Sequence, residues 1–202
     1  MITYSELDPS KKAFVFELDN VLFPEKDYLL QVYYLFANFL EFTETVPPAS
    51  ELTNFFKKAY ENHGQDKIFD KAREVFGIDE KYRENFNRLH TEARLPLKLL
   101  LFNAVLTLLQ EIVVDRKDIF IVTGGLPLMQ LNKIKQTEWN GLEKYLKVYF
   151  ADEVSPKPSP DVLNLILNEY NLKPDEVLCL GVSDADARFA QNAGIDFVRI
   201  NH

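Results

Sequence analysis

The stretch "AFVFELDNVLF", residues 13–23, decides how the rest of the chain is read. Ala13-Phe14-Val15-Phe16 is a continuous apolar run, the pattern of a short strand covered on both faces in a parallel sheet. It stops at Glu17-Leu18-Asp19-Asn20. Two carboxylates two residues apart, at the end of a buried strand, bring two negative charges to one spot. Asp19-Asn20 is also a plain turn sequence, so the rest of the chain must decide between turn and site.

Three similar apolar runs come much later: Ile119-Phe120-Ile121-Val122, Val177-Leu178-Cys179-Leu180 and Phe197-Val198-Arg199-Ile200. Val148-Tyr149-Phe150 is a weaker one. Helical patterns lie between them. Ser159-Pro160-Asp161 reads as an N-cap, a first-position proline and a first-turn acid. Val162, Leu163, Ile166, Leu167 and Tyr170 follow at helical spacing. Asp184 to Ala193 is a second helix, closed by Gly194. Alternating strands and helices predict an α/β fold: a Rossmann-like, mostly parallel sheet with helices on both faces.

Residues 24–95 break the alternation with helical segments and no convincing strand. One runs from about Asp27 to Phe42, with an aromatic face of Tyr28, Tyr33, Phe36 and Phe39 suited to packing. Pro47-Pro48 ends it, and Ser50 is placed to cap the next helix, whose apolar face is Leu52, Phe55, Phe56, Ala59 and Tyr60. The expected division is a core domain of residues 1–23 and 96–202 and a helical cap of residues 24–95. A helical layer packed on the sheet is the plainer alternative.

The 202 residues suffice for such a core with an insert. The formal net charge of −8 and the lack of a basic stripe argue against nucleic-acid binding. The opening "MITYSELDPSKK" lacks the regions of a signal peptide. The longest apolar run, "LPLKLLLFNAVLTLL", is broken by Lys98 and Asn103, so no membrane span is expected. The single cysteine, Cys179, permits no internal disulfide and suits core packing inside its strand. A cytoplasmic location is expected. His63, His90 and His202 show no metal-ligand spacing.

Ligands of open α/β sheets bind beyond the carboxyl ends of the strands. Glu17 and Asp19 follow the first strand, and Thr123-Gly124-Gly125 the second. Lys157 lies in "SPKPSPD" near the third, and Asp184 and Asp186 follow the fourth. Carboxylates can hold Mg²⁺, while a hydroxyl, glycine amides and an ammonium can hold a phosphoryl group.

These four segments, in this order, resemble the haloacid dehalogenase superfamily, most of whose members are Mg²⁺-dependent phosphatases. The resemblance covers almost the whole chain. "FVFELDNVLF" resembles the first family motif, "IFIVTGG" the second, Lys157 in "PKPSPD" the third and "LCLGVSDADARFAQNAG" the fourth. "QLNKI", residues 130–134, is similar to the helix that follows the second motif. The resemblance implies a sheet ordered third, second, first, fourth, fifth strand, with the insert as a small cap. It implies that Glu17 stands at the nucleophile and Asp19 at the general acid/base. Thr123, Gly124 and Lys157 would hold phosphate, and Glu17, Asp19 and Asp186 a metal.

Two departures bear on function. The family's nucleophile is an aspartate, and this chain has Glu17, longer by one methylene, about 1.5 Å. A misplacement of about 1 Å can cost roughly 10²-fold in rate. The family's fourth motif places a metal-binding aspartate directly after the glycine, and this chain has Val182, which offers no oxygen. Asp184 is the one nearby substitute. Asp186 is equally suited to orient the last helix and pair with Lys157. The expectation is weak or absent Mg²⁺ binding and impaired catalysis, with a phosphorylated small molecule, inorganic phosphate or a protein partner as ligand. The alternative is a slow or specialised Mg²⁺-dependent phosphohydrolase acting on a small phosphate ester. Dehalogenase chemistry requires the aspartate nucleophile and ranks below both.

Overall fold

The computed structural model describes residues 3–201. The chain forms two compact units: one holds the chain up to Glu25 together with the chain from Leu99 onward, and the other is Lys26–Lys98. The strands are β1 (Ala13–Phe16), β2 (Leu99–Leu100), β3 (Asp118–Thr123), β4 (Thr137–Glu138), β5 (Leu146–Phe150), β6 (Val177–Gly181) and β7 (Asp196–Arg199). The helices are α1 (Glu25–Glu44), α2 (Ala49–His63), α3 (Ile68–Phe76), α4 (Arg83–Glu92), α5 (Asn103–Val114), α6 (Pro127–Gln136), α7 (Ala151–Val154), α8 (Asp161–Glu169) and α9 (Asp184–Asn192).

Five strands make one sheet in the order β5-β3-β1-β6-β7, every pair parallel. This is the order the resemblance implies. β1 lies in the middle, with Ala13 opposite both Asp118 and Val177. All four of its residues are buried. Val15 packs with Phe120, Val122 and Cys179, and against Val162, Leu163 and Ile166 of α8 and Phe189 of α9. Phe14, Phe16, Ile119 and Ile121 are also buried and, by the two-residue period of a strand, face the other side. Cover on both faces is why β1, β3 and β6 read as unbroken apolar runs rather than alternating ones. A two-stranded parallel pair, β2 with β4, was not foreseen, being too short to leave a pattern.

Two helix N-caps differ from the sequence reading. Helix α2 begins at Ala49 with Pro48 at its N-cap, so Ser50 falls inside the first turn and caps nothing. Helix α8 begins at Asp161, which makes Pro160 the N-cap rather than the first helical residue. Ser159 Oγ still accepts from the Asp161 amide, at 3.4 Å.

The helical unit is held by aromatic packing. Tyr28, Tyr33 and Phe36 of α1 are fully buried. Phe86 of α4 lies at the centre, with ring centroids 5.0 Å from Phe36, 5.2 Å from Phe69 and 5.7 Å from Phe56. His90 packs on Phe86 at 4.6 Å, with Nδ1 against the Phe86 carbonyl, which is a structural role. His63 is exposed, and His202 lies outside the described residues. Among the described residues no helix is long and apolar enough to cross a membrane.

Candidate functional site

Parallel strands end at one edge of a sheet, and that edge collects the residues singled out in the sequence. β1 delivers Glu17 and Asp19, β3 ends at Thr123, and β6 ends at Gly181, just before the start of α9 and Asp186. Lys157 comes in on the loop between α7 and α8. After β1 the chain turns sharply. Asn20 adopts φ 59°, a left-handed conformation that asparagine tolerates, and its side-chain oxygen accepts from the Glu25 amide at 3.1 Å. The turn and site readings of Asp19-Asn20 therefore both apply.

One cluster is built on Lys157. Its ammonium donates to Glu17 Oε2 and, at 2.9 Å, to Asp186 Oδ1. Both carboxylates are nearly buried, with 12% and 9% of their side chains exposed. Glu17 spends its extra methylene curling back, so that Oε1 accepts the amide proton of Leu18 at 2.7 Å. Asp186 Oδ2 accepts from the Ser183 hydroxyl at 2.7 Å, the Ser183 amide at 3.0 Å and the Val182 amide at 3.2 Å. Ser183 Oγ in turn accepts from the Asp186 amide at 3.1 Å, closing the N-terminus of α9. Asp186 thus orients the helix and pairs with Lys157.

Burial alone would raise the Asp186 carboxyl, but Lys157 and Ser183 hold it below its ordinary range. For Lys157 burial is the largest influence and acts downward, yet Glu17 and Asp186 together outweigh it and hold the ammonium above the ordinary lysine range. Cys179, behind this cluster, is pushed up to about 12 by burial, so it remains a thiol. Asp184 points elsewhere: its largely exposed carboxylate pairs with Arg199 at 2.6 Å.

The second cluster is built on Asp19. Its Oδ2 accepts from Lys133 Nζ at 2.6 Å and from Gln130 Nε2 at 2.8 Å. The same Gln130 nitrogen reaches Thr123 Oγ1 at 2.8 Å and the Gly124 carbonyl at 2.9 Å. A carboxylate and a carbonyl only accept, which fixes the amide with its nitrogen toward them. Lys133 is fully buried and also lies 3.7 Å from Glu25. Thr123 is fully buried, its hydroxyl inside this network. Gly125, at φ +93°, donates its amide to Asp152 at 2.7 Å, so that amide serves an internal carboxylate. The two clusters meet at Gly124, where a Cβ would lie 4.0 Å from Lys157 Cδ.

Gln130, Lys133 and Asp152 were not singled out in the sequence. The signal for the first two was present in "QLNKI": a glutamine and a lysine three residues apart share one face of a helix that begins beside Thr123. Nothing in the sequence marks Lys133 as buried.

Magnesium asks for near-octahedral oxygens at about 2.0–2.1 Å. Asp19 Oδ1 is buried without a hydrogen-bond partner and, among the described residues, is the one carboxylate oxygen of the rim in that state. Glu17, Asp186 and Asp19 Oδ2 are engaged as described, and Val182 brings a valine side chain. Among the described residues no group of three or more His, Cys, Asp or Glu is placed to hold a metal ion. The donor set does not fit an octahedral magnesium.

Comparison with solved structures gives relatives of low identity and common fold. A Thermotoga maritima protein assigned as a β-phosphoglucomutase aligns at TM-score 0.63 and 23% identity, over 95% of this chain and 86% of that one. The HAD-hydrolase YfnB from Bacillus subtilis, bound to magnesium, aligns at 0.62 and 17%, over 93% and 85%. A HAD family hydrolase from Deinococcus radiodurans with bound phosphate and sodium aligns at 0.57 and 15%, over 95% and 81%. No curated protein sequence matches the chain. The family model of haloacid dehalogenase-like hydrolases matches residues 14–200, nearly the full length. On that match, and with the sheet order and strand-end residues in agreement, this chain belongs to the haloacid dehalogenase-like hydrolase family.

Proposed function

We propose that this chain is a haloacid dehalogenase-like scaffold with impaired hydrolysis, which binds a phosphorylated small molecule or the phosphoryl group of a partner without efficient turnover. The observation that carries this reading is the state of Glu17: one oxygen holds the Leu18 amide and the other holds Lys157. A carboxylate nucleophile acts through position, with a lone pair free and in line with phosphorus. Glu17 has neither oxygen free, and its longer side chain is curled away. Val182 removes a metal ligand from the same rim. Lys157, with one ammonium proton beyond the two given to Glu17 and Asp186, is the phosphoryl donor of this reading. Affinity should be weak, because Glu17 and Asp186 exceed Lys157 by one negative charge and repel an anion. The single buried thiol agrees with a cytoplasmic setting.

A slow phosphohydrolase is the second reading. It is favoured by Asp19, whose Oδ2 is anchored by Lys133 and Gln130 while Oδ1 stays unpartnered, the posture of a general acid/base.

The test is steady-state hydrolysis of an aryl phosphate with Mg²⁺. Wild-type protein should turn over at trace rates. The double variant Glu17→Asp/Val182→Asp should exceed the product of the two single effects, because groups acting as one catalytic unit are strongly non-additive. Asp19→Ala in that background should silence it. Robust Mg²⁺-dependent turnover by the wild type, lost on Glu17→Ala, overturns the impaired reading in favour of the second.

A further inference from the structure

The rim of the sheet is rich in carboxylates yet unsuited to magnesium, so its negative charge must be balanced in another way. Two neighbouring carboxylates that are nearly buried cannot both stay ionised without a cation close by. Among the described residues, the only positive group touching both Glu17 and Asp186 is the Lys157 ammonium. It is held from a third side by the Phe189 ring, whose centroid lies 4.8 Å from Nζ. The space left beside it is small. A cavity of about 10 Å³ lies among Glu17, Lys157, Asp186, Val15, Cys179 and Phe189. That is at the lower limit for one water, and far short of a cation with its remaining hydration shell.

We infer that the Lys157 ammonium is the resident cation of this rim, that the folded chain binds neither Mg²⁺ nor Ca²⁺ there, and that removing the ammonium opens a divalent-cation site between Glu17 and Asp186. The geometry sets the preference of that opened site. The two carboxylate oxygens are placed for an ammonium, with Asp186 Oδ1 2.9 Å from Nζ. Calcium, with oxygen distances of about 2.3–2.6 Å and tolerance of irregular geometry, suits such a pair better than magnesium at about 2.0–2.1 Å. The inference deepens the proposed reading and rests on it in taking the rim to have left metal-dependent hydrolysis. It is read by cation binding and not by turnover, so the two fail separately.

The experiment uses the full chain and its Lys157 variants, with MgCl₂ and CaCl₂ as probes. Titration calorimetry on the wild type should show no saturable binding, and its thermal midpoint should match between either cation and EDTA at equal ionic strength. Lys157→Ala should melt lower than the wild type in EDTA. It should then regain roughly 5–10 °C at a hundredfold excess of calcium over Kd, and less in magnesium. Lys157→Arg keeps the charge and should stay insensitive. Saturable binding by the wild type overturns the inference. So does a Lys157→Ala midpoint that is the same in calcium, magnesium and matched NaCl. Should alanine prevent folding, Lys157→Gln keeps most of the side-chain volume and carries the same comparison with the same outcomes.

Discussion

At the scale of single residues, one side chain sets the posture of the rim. Glu17 has the charge of an aspartate but enough length to reach back to its own neighbouring amide. Lys157 is the centre of an ion triad with Glu17 and Asp186. The triad should mark the stability–pH curve at both ends. Asp186 has a folded pKa below its unfolded one, so its contribution is full above the ordinary carboxylate range and is lost as pH falls through the lower folded value. Lys157 has a folded pKa above its unfolded one, so its contribution is full below the ordinary lysine range and is lost as pH rises through the higher folded value. Denaturant midpoints measured across pH should therefore fall at both edges. Asp186→Asn should flatten the acid edge specifically; an unchanged acid edge in that variant would show that the triad does not stabilise the fold.

At the scale of elements, the junction of β6 and α9 sets the positions of the triad. Gly181 carries no side chain, and the Asp186 carboxylate packs against that bare backbone. A Cβ on Gly181 would lie 2.5 Å from Asp186 Cβ and 2.8 Å from its Cγ, closer than real contacts allow. Gly181→Ala must therefore push the first turn of α9 away from the strand and loosen Asp186 from Lys157. Ser183→Ala leaves the backbone in place and removes one cap, at a cost of about 1 kcal/mol. Urea unfolding should rank Gly181→Ala as the more destabilising of the two, by lower midpoint at similar slope. The reverse order would mean that the strand–helix junction absorbs the extra methyl. The α6 helix plays the matching part for Asp19, because Gln130 and Lys133 share the face turned to the ends of β1 and β3.

At the scale of the whole molecule, the two units depend on different packing. The sheet unit is built on aliphatic and phenyl side chains over both faces of β1. The helical unit is built on stacked and edge-on rings around Phe86. Phe86→Ala should cost about 3–5 kcal/mol, as loss of a buried ring does. Phe42, 92% exposed, should tolerate alanine within about 0.5 kcal/mol. Far-UV circular dichroism through denaturant measures both. Fluorescence of Trp139, buried in the sheet unit, tells loss of the helical unit from unfolding of the whole. Equal midpoints for the two variants would contradict the central place given to Phe86.

The sequence by itself determined the strands of the main sheet, though not the β2–β4 pair, and the edge where the site residues gather, because buried parallel strands leave unbroken apolar runs and their carboxyl ends share one side. It determined the two departures, Glu17 and Val182, because these are facts of residue identity. It did not determine what those residues do to each other. That Lys157 reaches Glu17, that Asp184 turns to Arg199 instead of the rim, and that Lys133 lies buried against Asp19 depend on distances of a few ångströms between segments 15 to 140 residues apart. Hydrophobic periodicity is a local signal carried by neighbouring residues, whereas the partner of a charge is chosen by desolvation and geometry once the chain has folded, and only the tertiary structure decides that.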